Sequence, residues 1–502
     1  MLAHVPSATL LGVEGRRVRV EVHVSNGLPC FTVVGQPDAS CREARDRVRA
    51  AVQSCGRKFP DRRITVNLVP TGVRKVGSGL DLAIAMALLV ADKQLPEDAL
   101  TGIGLLGELG LDGSVRGVPG ALPMVDVIGA PALVVAAQNL GEARLARPDA
   151  RGVAHLSELI DALAGTGAWP DVEVVRAADA ELPDEPDLCE VEGQVVARMA
   201  LEVAAAGGHH LLMVGPPGAG KTMLAERLPG LLPDLGERDA MDVSRVHSAA
   251  ATLRAELGLV RRPPFRSPHH TASLVALIGG GTALLRPGEV SLASGGVLFL
   301  DELGEFPAAH LDALRQPLES GVMKVARATS SVTLPARFLL VAATNPCPCG
   351  FDGWAECRCG PAQIARYARR LSGPLLDRFD LRIDVDPPDP SAVLGRRGRA
   401  EGSRAVRERV VRARERARSR GVSANRELRG AQLEAHAPLR SEARDLLRDR
   451  LEAGSLTMRG AQRVRALALT LQDLAEQEGE LTAESVHQAL ALRCPERKGV
   501  FA

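Results

Sequence analysis

Alternating apolar and polar positions characterise the first 165 residues of the chain. Residues 18–24 alternate with period two, which is typical of a half-buried strand, and residues 63–68 form a second strand pattern. Residues 79–89 are almost wholly apolar and predict a buried helix, and short strands joined by glycine turns follow over residues 101–117. The mixture predicts an α/β unit spanning residues 1–165.

Continuous apolar runs distinguish a second unit, which we place at residues 188–392. Residues 211–214, 297–300 and 337–343 are apolar with few interruptions, as expected of parallel strands buried on both faces. Each run is followed by polar or glycine-rich residues. The pattern predicts an α/β core built on a parallel sheet.

The rest of the chain divides into a linker and a helical region. Residues 166–187 are rich in glycine, proline and acidic residues, which indicates a solvated linker. From residue 393 to 502 the chain is helical and rich in arginine, with the last helices predicted near residues 441–451 and 457–477. We interpret 393–502 as a lid over the core.

Composition narrows the classes of function. The chain has 502 residues, a formal net charge of +1 and 2% aromatic residues. So few aromatic residues argue against a base-stacking platform, and the charge leaves any DNA contact to local basic patches. We find no signal peptide and no apolar run long enough for a membrane helix, so we expect a cytoplasmic protein with no membrane partner.

A phosphate-binding motif follows the first apolar run of the core. Strand, glycine-rich loop and helix occur in the order that the P-loop requires, with Lys221 and Thr222 at the end of the motif. Lys221 is predicted to reach the β- and γ-phosphates of ATP, and the Thr222 hydroxyl to bind Mg²⁺. The predicted nucleotide-binding residues of the loop are Gly215, Pro216, Pro217, Gly218, Ala219, Gly220, Lys221, Thr222 and Met223.

Acidic and amide residues end the other two core strands. Asp301 and Glu302 follow one apolar run, so we predict that Asp301 holds Mg²⁺ and that Glu302 polarises the attacking water. Asn345 ends the next strand, where an amide can orient the water. The alternative interpretations are a helix start for the acidic pair and a loop cap for Asn345.

Four cysteines in two close pairs come directly after Asn345. Cys347, Cys349, Cys357 and Cys359 can converge tetrahedrally on Zn²⁺. The C-x-C spacing is tighter than in most zinc sites, so a redox pair or free thiols stay as the alternative.

Three segments carry a resemblance to a known family. Residues 265–271 (FRSPHHT), 287–292 (PGEVSL) and 296–303 (GVLFLDEL) resemble the ComM/YifB family of magnesium-chelatase-like AAA+ ATPases. The resemblance implies an AAA+ core with an insert that projects into the pore of a homo-oligomeric ring. It further implies that the ring is hexameric and acts on single-stranded or branched DNA. Family members resemble helicases that drive branch migration during natural transformation. The adjacent His269 and His270 make a poor metal pair, and we favour a structural or pore-loop role for them.

Residues 1–165 resemble the S5-type Lon-protease domain found in this family. The resemblance places Gly79 where a nucleophile would be and Pro123 where the lysine would be. We therefore expect a scaffold without peptidase activity, because proline cannot activate a hydroxyl. The alternative is that Ser78 acts with another base.

The resemblance also implies functional arginines. Arg378, in a Leu-Asp-Arg-Phe-Asp run, corresponds to an arginine finger that enters the neighbouring subunit's ATP site, with Arg370 as the second candidate. Arg459 corresponds to the sensor 2 residue and is expected to reach the γ-phosphate, whereas Arg463 could equally be a surface residue. A structural salt bridge is the alternative for Arg378.

Basic residues elsewhere could grip a nucleic-acid backbone. Lys324 and Arg327 lie in a predicted hairpin before the Asn345 strand, and residues 404–420 form an Arg-rich helix. A solvated surface is the alternative for both.

Two other functions stay open at this stage. A chelatase-like ATPase that remodels a protein partner would not respond to DNA. A Lon-type ATP-dependent protease would need a Ser-Lys dyad.

Overall fold

The protein, seen here in a computed structural model, is described over residues 1–173, 185–281, 285–326, 331–353, 356–369, 373–387 and 400–493. Over these ranges it is a mixed α/β protein with parallel sheets and a helical C-terminal region, which confirms the predicted fold class. None of the helices in these ranges has both the length and the apolar character needed to cross a membrane.

A four-stranded sheet forms one layer of the N-terminal unit. Its strands are β1 (Leu2–Leu11), β2 (Glu14–Ser25), β3 (Cys30–Val34) and β4 (Arg63–Val69). Their order is β1-β2-β4-β3, with β2 antiparallel to both of its neighbours and β3 parallel to β4. Strand β2 buries every second residue from Val18 to Val24, as its alternating sequence predicts.

A buried helix packs on this sheet and on a second, smaller one. The helices are α1 (Ala39–Ser54), α2 (Asp81–Ala91), α3 (Ala121–Val127), α4 (Leu140–Ala146) and α5 (Leu156–Ala164). The second sheet is parallel in the order β5 (Ile103–Leu106), β8 (Ala132–Ala136), β9 (Arg151–Val153), and β6 (Glu108–Leu109) pairs with β7 (Val115–Arg116). All residues of α2 are buried, because a helix that is apolar on every side must be surrounded by protein.

A five-stranded parallel sheet forms the centre of the second unit, the α/β core. The strands are β10 (Leu211–Val214), β11 (Phe265–Arg266), β12 (Val297–Leu300), β15 (Leu339–Thr344) and β16 (Leu381–Asp384), in the order β11-β12-β15-β10-β16. Every pairing is parallel, so all five carboxyl ends lie at one edge. The three predicted strands are confirmed, and the sequence analysis missed the two outer strands, β11 and β16.

Helices flank the sheet and extend into the C-terminal region. Those of the core are α6 (Val195–Gly207), α7 (Lys221–Leu231), α8 (Glu237–Ala249), α9 (Leu274–Ile278), α10 (Glu289–Leu292), α11 (Ala308–Ala313), α12 (Arg315–Ser320), α13 (Pro361–Ala368) and α14 (Gly373–Leu376). The hairpin consists of β13 (Val322–Ala326) and β14 (Ser331–Pro335). The C-terminal helices are α15 (Ser403–Ser419), α16 (Gly430–His436), α17 (Ser441–Glu452), α18 (Met458–Leu474) and α19 (Ala483–Arg493).

The N-terminal unit packs directly on the α/β core. The Gly120 N–H donates to the carbonyl oxygen of Ser248 at 2.9 Å, and the Ser248 hydroxyl donates to Glu142 at 2.8 Å. Apolar residues of both units, such as Leu10 and Val332, belong to one continuous buried cluster. The hairpin therefore rests on the N-terminal unit through one of its faces.

Candidate functional site

The loop between β10 and α7 makes a tight turn that depends on glycine at several positions. Gly218 and Gly220 adopt φ angles of +79° and +87°, which favour glycine over residues with a side chain. At Gly215 a Cβ atom would lie 2.1 Å from the carbonyl oxygen of Val385, so no side chain fits there. Such a loop can turn successive N–H groups toward one anion, and helix α7 adds its positive N-terminal end.

Lys221 begins helix α7 and is held by the loop that precedes it. Its Nζ donates to the carbonyl oxygens of Gly215 and Pro216 at 2.7 and 2.9 Å, and to Oδ1 of Asn345 at 3.3 Å. Burial lowers the pKa of Lys221, while the charges of Asp301 and Glu302 oppose that shift. Lys221 and Asn345, which lie 124 residues apart in the chain, therefore meet at the head of the loop.

Asp301 and Thr222 form the second half of the arrangement. The Thr222 hydroxyl donates to Oδ2 of Asp301 at 2.8 Å, and Oδ1 of Asp301 accepts the N–H of Glu302 at 2.9 Å. A hydroxyl and a carboxylate side by side are the oxygen ligands that Mg²⁺ takes beside phosphates. Both predicted magnesium ligands therefore fit the ion.

A cavity of about 470 Å³ lies in front of the loop. It is lined by Pro217, Gly218, Ala219, Gly220, Lys221, Thr222, Met223, Asp301, Glu302, Thr344 and Asn345. Gly215 and Pro216 do not line it but supply the carbonyl groups that hold Lys221. The predicted loop residues, the acidic pair and Asn345 are thus brought together around one space suited to a triphosphate.

Glu302 has one neighbour that the sequence analysis did not assign. Nδ1 of His270 lies 3.3 Å from Oε2 of Glu302. Glu302 also adopts a left-handed backbone with φ +51°, which is uncommon for a residue with a side chain. The sequence signal for this contact is strand β11, which precedes His270 and pairs with the strand that precedes Glu302. With only two residues, β11 is too short to be recognised from its hydrophobic pattern.

Arg378 and Arg459, predicted as the arginine finger and the sensor 2 residue, lie at a shared carboxylate. Arg378 is buried and forms an ion pair with Glu319 at 2.5 Å, and the exposed Arg459 lies 3.9 Å from the same carboxylate. Among the described residues that line the cavity, neither arginine appears. The alternative salt-bridge role of Arg378 is therefore present within the single chain, and Arg459 does not reach its own chain's phosphate-binding loop here.

A buried charge cluster joins the Arg378 segment to the C-terminal helices. Asp380 is fully buried and lies 2.7 Å from Nε of Arg426 and 3.3 Å from Nη1 of Arg463. Arg463 also donates to the carbonyl oxygen of Asp377, and Arg493 donates to that of Phe379 at 2.8 Å. The interpretation of Arg463 as a surface residue is wrong, because its side chain is engaged with the segment around Arg378.

The protonation of Asp380 follows from this cluster. Burial alone would raise its pKa, but Arg426, His209 and Arg463 together hold the pKa well below the ordinary value. The carboxylate is therefore charged and serves as the common counter-ion of the cluster.

Several arginines of helix α15 are engaged with other parts of the protein. Arg409 pairs with Glu202 at 2.6 Å and with Glu401 at 2.5 Å, and Arg414 donates to the carbonyl oxygen of Ala205 at 2.9 Å. These contacts tie the helix to α6 and leave fewer arginines for phosphate binding than the sequence suggests.

The four cysteines of the predicted metal site converge. Their sulfur atoms all lie within 4.8 Å of one another, with Cys347 3.3 Å from Cys349 and 3.9 Å from Cys357. Sulfurs bound tetrahedrally to Zn²⁺ at 2.3 Å stand about 3.8 Å apart, whereas a disulfide needs about 2.05 Å. The backbone N–H groups of Arg358 and Phe351 lower the pKa of the Cys349 thiol to about 6. The donor set and spacing therefore fit zinc.

The cysteine loop also touches the phosphate-binding loop. A Cβ atom on Gly350 would lie 2.5 Å from Cδ of Pro217, so the backbone of Gly350 packs closely on the Pro217 ring. The position of the cysteine cluster is thereby linked to that of the P-loop.

The remaining predicted residues have simple surroundings. Lys324 is exposed on β13 opposite Thr333, while Arg327 and Arg370 lie outside the described residues. In the N-terminal unit the Ser78 hydroxyl donates to Glu108. Gly79 precedes α2, and Pro123 is buried in α3.

Comparison with known families covers most of the chain. Residues 187–393 match the family described as magnesium chelatase, subunit ChlI. Residues 20–139 match the description subunit ChlI of Mg-chelatase, and residues 400–493 match the magnesium chelatase subunit ChlI C-terminal family.

Individual relatives extend over nearly the whole length. Competence protein ComM of Haemophilus influenzae is 42% identical over 500 residues, covering 98% of this chain and 97% of that protein. Uncharacterized protein YifB of Escherichia coli K12 is 41% identical over 499 residues, covering 99% and 98%. A protein named Probable DNA helicase MCM9 of Arabidopsis thaliana is 27% identical over 191 residues, which is 38% of this chain and 24% of the plant protein.

The buried cluster leads to a prediction about stability. Replacing Asp380 by Ala leaves Arg426 and Arg463 without their counter-ion, so we expect a loss of about 3–5 kcal/mol, measured from the midpoint of urea unfolding. Because the folded-state pKa is depressed, this contribution is present above the unfolded value of about 3.9 and is lost only as pH falls below it, so the difference persists at about pH 5.

The control for this experiment is the exposed ion pair between Asp126 and Arg245, at 2.6 Å. Asp126→Ala should change stability by less than about 1 kcal/mol. Equal shifts for the two variants would contradict the interpretation of Asp380 as a buried counter-ion.

Proposed function

The chain belongs to the ComM/YifB family of magnesium-chelatase-like AAA+ ATPases, and from that premise we propose that it is a ring-forming motor in which ATP hydrolysis moves DNA. Membership is shown by 41–42% sequence identity to YifB and ComM over nearly the whole chain. The ATPase class follows from the family, whereas the action on DNA, the ring and the residue roles below are our proposal.

The observation that supports the proposed ATP site best is the convergence of polar groups at one edge of the parallel sheet. Lys221, Asp301 and Asn345 follow three different strands and surround one cavity. The carboxyl edge of such a sheet is where α/β proteins bind their ligands.

Each group has a distinct task in the proposed reaction. Lys221 binds the phosphates of ATP as a fixed positive charge, and Thr222 with Asp301 would hold Mg²⁺, which neutralises charge on the transferring phosphoryl group. Glu302 orients the attacking water and accepts its proton. Asn345 fixes the water and the terminal phosphate by hydrogen bonding.

The positions of Arg378 and Arg459 support the proposal of a ring. Arg378 and Arg459 share Glu319 rather than the cavity of their own chain. We infer that both act in the ATP site of a neighbouring copy, after Glu319 releases them. A guanidinium there stabilises charge spread over the transferring phosphoryl group. A closed ring, six-membered in our proposal, satisfies every site in the same way.

DNA is the proposed substrate of the motion. Two relatives carry names that refer to competence and to DNA helicase activity. In this chain Lys324 is exposed on a hairpin, where it can contact a phosphate backbone. We propose a cytoplasmic helicase or branch-migration factor that acts on single-stranded or branched DNA during DNA integration, as in natural transformation.

Two alternatives would give different results. The first alternative is a chelatase-like remodeller of a protein partner, suggested by the match to the family described as magnesium chelatase, subunit ChlI. An ATP-dependent protease would need Ser78, whose hydroxyl donates to Glu108 instead of to a lysine. We propose that the N-terminal unit, with its resemblance to Lon proteases, is a scaffold.

The cysteine cluster is the proposed site of a structural Zn²⁺. Cys347, Cys349, Cys357 and Cys359 supply four sulfur ligands, which is the donor set of closed structural zinc sites. Through the contact of Gly350 with Pro217, the ion would stiffen the loop beside the nucleotide.

The ATPase rate with and without DNA tests the proposed function. We expect single-stranded or branched DNA to raise the rate, and Glu302→Gln to lower kcat by about 10² or more, because the attacking water loses its base. Lys324→Ala should leave the DNA-free ATPase rate unchanged. It should reduce the slope of log K for DNA binding against log salt concentration by about 1, the value for one lost phosphate contact.

Lys58→Ala, at an exposed lysine of the N-terminal unit, is the matched control and should bind DNA as the wild type does. A rate that no form of DNA changes would favour the protein remodeller over the DNA motor. Casein cleavage that disappears in Ser78→Ala would favour the protease.

Metal analysis tests the zinc proposal. Protein purified without added metal should contain about one Zn²⁺ per chain, and Cys357→Ser should lose most of it because three sulfurs leave an open site. Cys30→Ser, at an exposed cysteine outside the cluster, should keep the metal. Absence of zinc in the wild type, with four freely reactive thiols or a disulfide in its place, would rule out the structural metal.

A further inference from the structure

The topology of the sheet brings the chain around His270 next to Glu302. Strands β11 and β12 pair in parallel, with Phe265 opposite Val297 and Arg266 opposite Leu298. Both strands therefore leave the sheet at the same edge. Because His270 comes four residues after β11 and Glu302 two residues after β12, both side chains lie near the cavity.

Glu302 and Phe306 both contact the His270 ring. Its Nδ1 lies 3.3 Å from Oε2 of Glu302, and its ring meets Phe306 edge-on with centroids 6.3 Å apart. The His269 ring lies 4.1 Å away and is itself tied to Thr271, whose hydroxyl is 2.8 Å from Nδ1 of His269. The two adjacent histidines thus have different partners, and His270 is the one directed to the acidic pair.

Over the part of the chain that the structure describes, the ion pair with His270 is the one that holds the Glu302 carboxylate. The side chain is 55% exposed, whereas that of His270 is 27% exposed. Its backbone is held in a left-handed conformation with φ +51° by the bond from its N–H to Asp301. A carboxylate on an exposed side chain samples several rotamers, and most of them would turn it away from the water it has to activate.

We propose that His270 is a positioning residue for Glu302, holding Oε2 so that Oε1 faces the attacking water. The contact works with a neutral imidazole whose proton is on Nδ1 and with the protonated ring, since both present an N–H to the carboxylate. The inference rests on the proposed role of Glu302 in hydrolysis. His270 itself does not touch ATP in this account and acts only through the carboxylate.

Kinetics of three histidine variants test the proposal. His270→Ala should lower kcat of the DNA-free ATPase by about tenfold or more while KM for ATP changes by less than about twofold, because the water is misplaced and the nucleotide is not. His270→Asn should recover most of the rate, since its amide N–H occupies the position of the imidazole Nδ1 and can still reach the carboxylate. His269→Ala is the matched control and should keep the wild-type rate.

A double variant separates positioning from a structural effect. If His270 acts through Glu302, adding His270→Ala to Glu302→Gln should cause little further loss in single-turnover hydrolysis. The proposal would be overturned if His270→Ala lowered the rate of the Glu302→Gln variant by the same factor as it lowers that of the wild type. It would also be overturned if His269→Ala lowered the wild-type rate as much as His270→Ala does. Binding of a fluorescent ATP analogue and the urea midpoint report whether each variant is folded, and a His270→Asn variant that is folded but as slow as His270→Ala would also overturn it.

The same set of rates distinguishes failure of this inference from failure of the proposed function. Wild-type turnover in Glu302→Gln would contradict the proposed function itself. Loss of activity in Glu302→Gln together with wild-type activity in His270→Ala would contradict the positioning role alone.

Discussion

Parallel pairing of five strands is the constraint on which the rest of the ATPase core depends. Since every strand of the order β11-β12-β15-β10-β16 runs the same way, five separate chain segments end at a single edge. The phosphate-binding loop, the acidic pair and Asn345 each follow one of these strands. Their chemistry is brought together by backbone hydrogen bonding and not by proximity in sequence. The contact between His270 and Glu302 is a further product of the same pairing.

A second organising interaction lies around Asp380, away from that cavity. One buried carboxylate is shared by arginines from the C-terminal helices, and two residues before it Arg378 meets Glu319. Breaking such a cluster leaves charges buried without partners, so the C-terminal helices and the Arg378 segment are expected to move together. The ATP edge and the arginine pair are thus separate features of one chain. That separation is the physical reason for placing the arginines in the site of a neighbouring copy.

Local motifs made much of the site predictable from the sequence. Two motifs could be recognised by residue types at fixed spacing: the loop that ends in Lys221 and Thr222, and the pair Asp301 and Glu302. The chemistry of each motif requires that spacing. The cysteine convergence was predictable for the same reason, because two close pairs separated by a short loop can meet at one point.

Interactions between distant segments were not predictable in this way. Strand β11 is two residues long, and its pairing depends on β12 and not on its own pattern. The sharing of Glu319 by Arg378 and Arg459 joins positions far apart in the chain, and no periodicity marks it. The sequence of α15 predicts a basic surface, because arginines are frequent in it. In the structure, Arg409 and Arg414 are engaged with α6. Charge patterns in sequence do not reveal which charges are already paired.

The central claim is that one copy of the chain completes the ATP site of another, and mixing two inactive variants tests it most directly. Lys221→Ala removes the phosphate contact but keeps Arg378, and Arg378→Ala does the reverse. If the arginine acts in the neighbouring site, equal mixing should restore hydrolysis to about a quarter of the wild-type rate, the share of sites that join an intact loop to an intact arginine. A mixture as inactive as its components, together with a wild type that hydrolyses ATP equally well as a dilute monomer, would contradict the account.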